Sequence, residues 1–253
     1  MSTKESQSKF ANLTFDDFRK FAKDPSLSRH EKVGFPDSYR DGKEADIFRD
    51  ICQKLLNLSS PNKNVLEIGP GCSDLPLMLV NMCEQHGNNL IFVDSEEMLA
   101  QLPQSSCVKN YSGSFPSALA GDFDRLQGTI DVVLAYSVIQ YIFTEGNLWD
   151  FVDRCLLLLA EGGEILFGDV PNITMRKRFF ASEAGVISHR QYTASDEKPE
   201  VSFNQLEAGN IDDSVVLAIL ARARAQGFHA WVMPQSPALP MANRREDILI
   251  RKA

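Results

Sequence analysis

Glu67, Gly69, Gly71 and Asp94 are the residues whose types and spacing could hold a polar ligand between two acids and a bare turn of backbone. The run 63–74, Lys-Asn-Val-Leu-Glu-Ile-Gly-Pro-Gly-Cys-Ser-Asp, passes from a short apolar segment into a glycine turn, and an apolar-rich run, 75–83, follows. This order predicts a strand, a tight loop and a helix start. The two glycines let the chain turn sharply and leave no Cβ between a ligand and the N–H groups that open the helix. A carboxylate two residues before Gly69 suits a ligand with a cationic amino group. A dinucleotide fingerprint would place a third glycine at position 74; Asp74 stands there instead and would add negative charge beside a pyrophosphate. Asp94 ends the apolar run 90–94 and lies 23 positions after Gly71, the distance that one helix and one strand need to bring a second acid beside the first loop.

Glu-x-Gly-x-Gly at a strand end resembles motif I of the class I S-adenosylmethionine-dependent methyltransferases. The resemblance covers roughly 60–170 and a C-terminal pair of strands. It implies an α/β fold, a doubly wound, seven-stranded Rossmann-like methyltransferase sheet with a C-terminal antiparallel hairpin, and S-adenosyl-L-methionine as the cofactor. In the resemblance Asp94 holds the ribose, and Ser95 or Met98 flanks the adenine. Ser114 stands where the family often carries an aspartate for the adenine amino group, and Phe115 follows it. Ala135, Tyr136 and Ser137, just past the fourth strand, match residues that lie against the methionine part, and Glu67, Gly69 and Gly71 complete the cofactor set.

The elements that must position these residues follow in order. Residues 1–9 are polar and read as disordered, and Phe10, Leu13, Phe15, Phe18 and Phe21 recur at helical spacing. The turn-rich segment 24–42 leads to a helix over 43–57, so 1–57 reads as an N-terminal extension or lid and 58–253 as the methyltransferase domain. A third strand is expected over 106–110. The β-branched run that opens 130–142 has the character of a central parallel strand buried on both faces. A helix over 147–160, Gly162-Gly163, a strand over 164–170, a helix over 212–226 and strands over 228–233 and 246–252 complete the pattern. Residues 171–209 break the βα rhythm and are expected, together with 24–42, to build the acceptor pocket.

Methyl transfer is a displacement at a sulfonium methyl, so the protein must align a nucleophile and exclude water. A hydroxyl nucleophile also needs a base near the ends of strands four and five, where Asp169 and His189 are the candidates. The acceptor expected is a small molecule, with a hydroxyl of a saccharide or nucleotide sugar as the finer reading; the basic triplet 176–178 could meet an anionic substrate. Two alternatives stay open on sequence: a non-catalytic S-adenosylmethionine-binding protein, and a nicotinamide-dependent oxidoreductase, which Asp74 and the final hairpin disfavour.

Composition narrows the class further. With 253 residues the chain can bury a sizeable core, and a net charge of -8 disfavours a nucleic-acid partner. Five scattered cysteines without a C-x-x-C pair read as reduced thiols, and Cys72 in the glycine loop reads as a small packing residue. The N-terminus has no apolar signal core, and the longest uncharged apolar run, 132–143, is too short for a bilayer, so the expectation is a cytoplasmic protein with no membrane partner. No metal-ligand motif occurs, and no metal is expected.

Overall fold

The computed structural model describes residue 10 and residues 13–253, so the disorder expected for 1–9 lies outside the described residues. Seven strands form one sheet: β1 (Asn64–Ile68), β2 (Asn89–Asp94), β3 (Val108–Ser112), β4 (Ile130–Tyr136), β5 (Leu159–Pro171), β6 (His229–Pro234) and β7 (Arg245–Arg251). Their order is β3-β2-β1-β4-β5-β7-β6. Neighbours among the first five strands run parallel, and β7 runs antiparallel to both β5 and β6. The β-branched run in β4 takes the centre because only a strand covered on both faces can bury successive Val, Val, Leu and Ala.

The helices on the N-terminal side are α1 (Phe15–Lys23), α2 (Arg29–Lys32), α3 (Asp37–Arg40) and α4 (Glu44–Lys54). Within the sheet region follow α5 (Asp74–His86), α6 (Glu96–Leu99), α7 (Phe123–Leu126), α8 (Ile139–Glu145) and α9 (Leu148–Leu158), and then α10 (Ile173–Phe180), α11 (Glu183–Thr193) and α12 (Asp213–Ala225). Alternate strand residues feed two cores. Leu66, Val133, Ile165 and Phe167 meet α9 and α12 on one face; Val65, Val132, Leu134 and Leu166 meet α4 and α5 on the other.

Three boundaries differ from the sequence expectation. The third strand lies two residues later than 106–110, and the run 130–142 divides into β4 and α8. β5 starts at Leu159, its pairing with β4 shifting between Ile130 and Val132. Residues 171–209 are not irregular throughout: Asn172 and Ser182 accept from the first-turn N–H groups of α10 and α11 and so start two helices.

A second irregularity shapes the end of the sheet. The β5–β7 register shifts between Phe167 and Val170, and Asp169 takes a left-handed φ of 57°. Its N–H leaves the ladder and donates to Asp247 Oδ1 at 2.8 Å. Asp247 also accepts from Lys54 Nζ at 2.6 Å, which ties α4 to β7 through a buried ion pair.

The N-terminal segment is fastened over the β1 end. A capping box between Thr14 and Asp17 starts α1, and Arg19 makes two hydrogen bonds of 3.0 Å to Glu97 on α6. Phe18 and Val33 pack on Cys72 and Met98.

Candidate functional site

The loop after β1 has the geometry that its glycines permit. Gly69 and Gly71 have φ of +69° and +65°, where a side chain would be strained. A Cβ on Gly69 would stand 2.7 Å from Val138 Cγ2, and one on Gly71 would stand 2.5 Å from Val33 Cγ1, so both glycines also make room. The Gly69 N–H donates to Val93 O at 2.9 Å, which fixes the loop to the end of β2.

At that end Asp94 turns its carboxylate back toward the loop. Oδ2 accepts from the Gly71 N–H at 3.0 Å and Oδ1 from the Ser95 N–H at 2.6 Å, so each oxygen is oriented and keeps a further lone pair. Burial pushes the Asp94 carboxyl up to about 6, against the pull of these hydrogen bonds. Glu67, inside β1, is more affected: burial first, and then the nearby Asp94, push it up to about 8. Its Oε2 is buried and has no hydrogen-bond partner.

Around this loop lies a cavity of about 400 Å³, within the range of small-ligand pockets. Gly69, Gly71, Asp94, Met98, Ser114, Phe115, Tyr136 and Ser137, all candidates on sequence, line it together. Three other candidates are not in its wall. Glu67 is buried in β1, Ser95 turns its hydroxyl to the Met98 N–H and caps α6, and Ala135 faces the core shared with α9.

The rest of the wall comes from segments that meet only in the fold. Phe15, Phe18, Val33, Phe35, Arg40 and Glu44 come from the N-terminal side, and Val138, Tyr141 and Glu145 from the turn after β4 and α8. Of these, sequence reasoning missed Phe15, Phe18, Val33, Glu44, Val138, Tyr141 and Glu145 as site residues. Tyr141 had the clearest signal, an aromatic just beyond a strand end, and its ring meets Phe18 edge-on at 4.9 Å. Glu44 also accepts from the Asp74 N–H at 2.6 Å, so a carboxylate already serves the first N–H of α5.

Neither candidate base lies in the wall of this cavity. Asp169 is buried outside the wall, and its Oδ2 accepts from Arg40 Nη2 at 3.0 Å, from Arg245 Nη1 at 2.8 Å and from the Ser137 hydroxyl. Gln235 donates to its Oδ1 at 3.3 Å, so this carboxylate organises two arginines instead of facing a substrate. His189 sits on α11 and lines a separate cavity of about 320 Å³, with Phe180 on α10 and residues 199–207. The two segments expected to build the acceptor pocket, 24–42 and 171–209, fall on different cavities. The first segment lines the cavity over β1, but no residue of 171–209 does, because α10 and α11 close around the second cavity. Cys72 is buried and its thiol is pushed up to about 11 by burial, as suits a packing residue.

Comparison with solved structures places this architecture. Over 98% of the chain and 97% of its counterpart, the protein superposes on the plantazolicin methyltransferase BpumL, determined in complex with a triazolic desmethylPZN analog and S-adenosylhomocysteine, with a TM-score of 0.55 at 14% identity. The CurJ carbon methyltransferase matches 99% of the chain over 70% of its own length, with a TM-score of 0.54 at 16% identity. The methyltransferase domain of bacterial CtHen1-C matches 81% of the chain and 96% of its own, with a TM-score of 0.52 at 14% identity. No family model matches the sequence, and no curated protein matches it. The fold is that of the class I S-adenosylmethionine-dependent methyltransferases, with the inserted antiparallel β7 that an all-parallel dinucleotide-binding sheet lacks.

Proposed function

We propose that the chain is an S-adenosylmethionine-dependent methyltransferase acting on a small molecule. The observation that carries this reading is the Asp94 carboxylate, buried at the end of β2 and oriented by the Gly71 and Ser95 N–H groups beside a cavity that the glycine loop keeps open. The remaining lone pairs of Asp94 suit the two ribose hydroxyls, and the unpartnered Oε2 of Glu67 suits a cationic amino group. Met98, Ser114 and Phe115 offer an apolar and hydrogen-bonding seat for adenine. When bound, S-adenosylmethionine would supply a methyl group already activated on a sulfonium.

The chain's own part is alignment and exclusion of water. Phe18 and Tyr141, tied edge to face, close one side of the cavity, and the Phe15 N–H donates to Glu145 Oε2 at 3.1 Å across it. Phe35, packed under the Arg40 guanidinium at 4.1 Å, closes another. These aromatic surfaces support a ring-bearing acceptor, and a hydroxyl of a saccharide or nucleotide sugar remains the finer form of the proposal. A partner of this kind, in place of nucleic acid, accords with the net charge of -8. Among the described residues no helix is long and apolar enough to cross a membrane. A cytoplasmic setting belongs to the same proposal, supported by five cysteines that are all free.

One observation favours a non-catalytic S-adenosylmethionine-binding protein: neither candidate base opens into the cavity. Two measurements decide. Calorimetric titration is expected to show saturable binding of S-adenosylhomocysteine and none of reduced nicotinamide adenine dinucleotide; the opposite pattern overturns the proposal. Incubation of small-molecule extracts with methyl-labelled S-adenosylmethionine is expected to give a labelled product, and binding without any labelled product would favour the non-catalytic reading.

A further inference from the structure

Beyond the outer end of β5 the chain gathers two cations, Arg244 and Arg176, that no carboxylate among the described residues neutralises. The guanidinium carbons of Arg244, just before β7, and of Arg176, on α10, lie 5.7 and 5.4 Å from the centre of the Phe180 ring. The neighbouring cations are all paired: Lys177 with Glu207 at 2.7 Å, Arg178 with Asp213 at 2.5 Å and Arg245 with Asp169 at 2.8 Å. Among the described residues Arg244 and Arg176 have no such acid, and the buried Nε of Arg244 has no acceptor at all. A buried donor left unmade is costly, and two like charges over one ring repel. Burial holds Arg244 below the usual arginine value, with Arg176 and Arg245 acting in the same direction and the phenols of Tyr39 and Tyr192 opposing.

Arg176 and Phe180 line the cavity beside His189, and Arg244 is linked to the cavity over β1 only through its neighbours. Tyr39 precedes Arg40, which lines that cavity, and Arg245, next in the chain to Arg244, stands 5.5 Å from the centre of the Phe35 ring in the same wall. A planar guanidinium matches the oxygens of a carboxylate or phosphate with parallel N–H groups. We propose that Arg244 and Arg176 form a subsite for an anionic group, carboxylate or phosphate, on the methyl acceptor, with the Phe180 ring as its floor. The assignment of this anion to the acceptor rests on the methyltransferase reading; the anion site itself does not. It also gives Arg244, which sequence inspection passes over, a part in selecting substrate.

The test uses the full chain loaded with S-adenosylhomocysteine and reads the arginine Nε–H signals by nitrogen-15 magnetic resonance, with Arg244 assigned by the loss of its signal in Arg244→Lys. Sodium phosphate and sodium acetate are titrated separately against sodium chloride at equal ionic strength. The expected result is a saturable shift of the Arg244 signal with phosphate or acetate and none with chloride, the stronger response telling which anion the site takes. Arg176→Gln, a change at an exposed side chain, should weaken that response about tenfold. No saturable shift with either anion, or a response unchanged in Arg176→Gln, overturns the subsite. Binding of S-adenosylhomocysteine is measured calorimetrically on the same protein. If it binds and the anions do not, the subsite falls and the methyltransferase reading stands; if the anions bind and it does not, the anion site stands and the methyltransferase reading falls.

Discussion

The cavity over β1 and the cavity between α10 and α11 are of similar size, about 400 and 320 Å³, yet they are built on different plans. The first is walled by glycine backbone and aromatic side chains, its acid Asp94 is held by N–H groups of the loop, and the unpartnered Glu67 precedes Ile68 of the wall in β1. The second is lined by Arg176, Lys177, His189, Glu200 and Glu207, with Lys177 and Glu207 satisfying each other. The first plan spends burial on a few acids with spare lone pairs, as a cationic or hydroxyl-bearing ligand needs, whereas the second leaves Arg176 as a cation beside a mutually satisfied pair, as an anion needs. The buried network around Asp169 backs the first cavity through Arg40 and Ser137 of its wall and fastens Arg40 of the N-terminal segment to β5 and β7.

The largest expected effect breaks the first plan outright. Gly71→Val places a branched side chain at a left-handed φ and against Val33, and should abolish binding of S-adenosylhomocysteine while the far-ultraviolet dichroism stays that of the folded protein. Retained binding would move the site elsewhere. Next comes the network. Asp169→Ala leaves two guanidiniums without their acid and should cost about 3 to 5 kcal/mol in urea unfolding. If the cost is under about 1 kcal/mol, as for a surface pair, the network does not hold the N-terminal segment down.

Asp94→Ala removes an acceptor for two hydroxyls, and with charge-assisted bonds worth roughly 1.5 to 3 kcal/mol each, affinity should fall by about ten-fold to several hundred-fold. The same carboxylate sets a smaller effect of pH. Because Asp94 titrates near about 6, its full acceptor capacity is present above that value and is lost as pH falls through it. Glu67, raised to about 8, is largely protonated at neutral pH, and pairing with an ammonium would lower its value and release a proton. Both act in one direction: affinity for S-adenosylhomocysteine should rise with pH between about 5 and 8. Calorimetry in buffers of different ionisation enthalpy should detect the released proton, and proton uptake instead would contradict the role given to Glu67. The smallest effect belongs to the second cavity, where His189→Ala should leave the dissociation constant of S-adenosylhomocysteine unchanged.

What was legible in the sequence was what a short window determines. The β1 loop and its glycines, the acid closing β2 and the buried run of β4 each carry their signal within a few residues, and the final hairpin follows from two strands around a proline-bearing loop. The wall of the cavity was legible only in part, since Val33 and Val138 reach the glycines from opposite sides and nothing local marks either. The surroundings of Asp169 were hidden for the same reason. A strand-end acid looks like a base until Arg40, 129 residues earlier, and Arg245, 76 residues later, are brought to it. The helices α10 and α11 were hidden because polar and basic residues interrupt their apolar spacing, leaving only caps at Asn172 and Ser182 as signals.

Where the ligand sits is measured directly by a crystal structure of the protein soaked with S-adenosylhomocysteine. The predicted result is density in the cavity over β1, with the ribose hydroxyls on Asp94, the amino group within hydrogen-bond distance of Glu67 and the adenine between Met98 and Phe115. Density in the cavity beside His189 instead, or an Asp94 still bonded only to the Gly71 and Ser95 N–H groups with the ligand elsewhere, would contradict it.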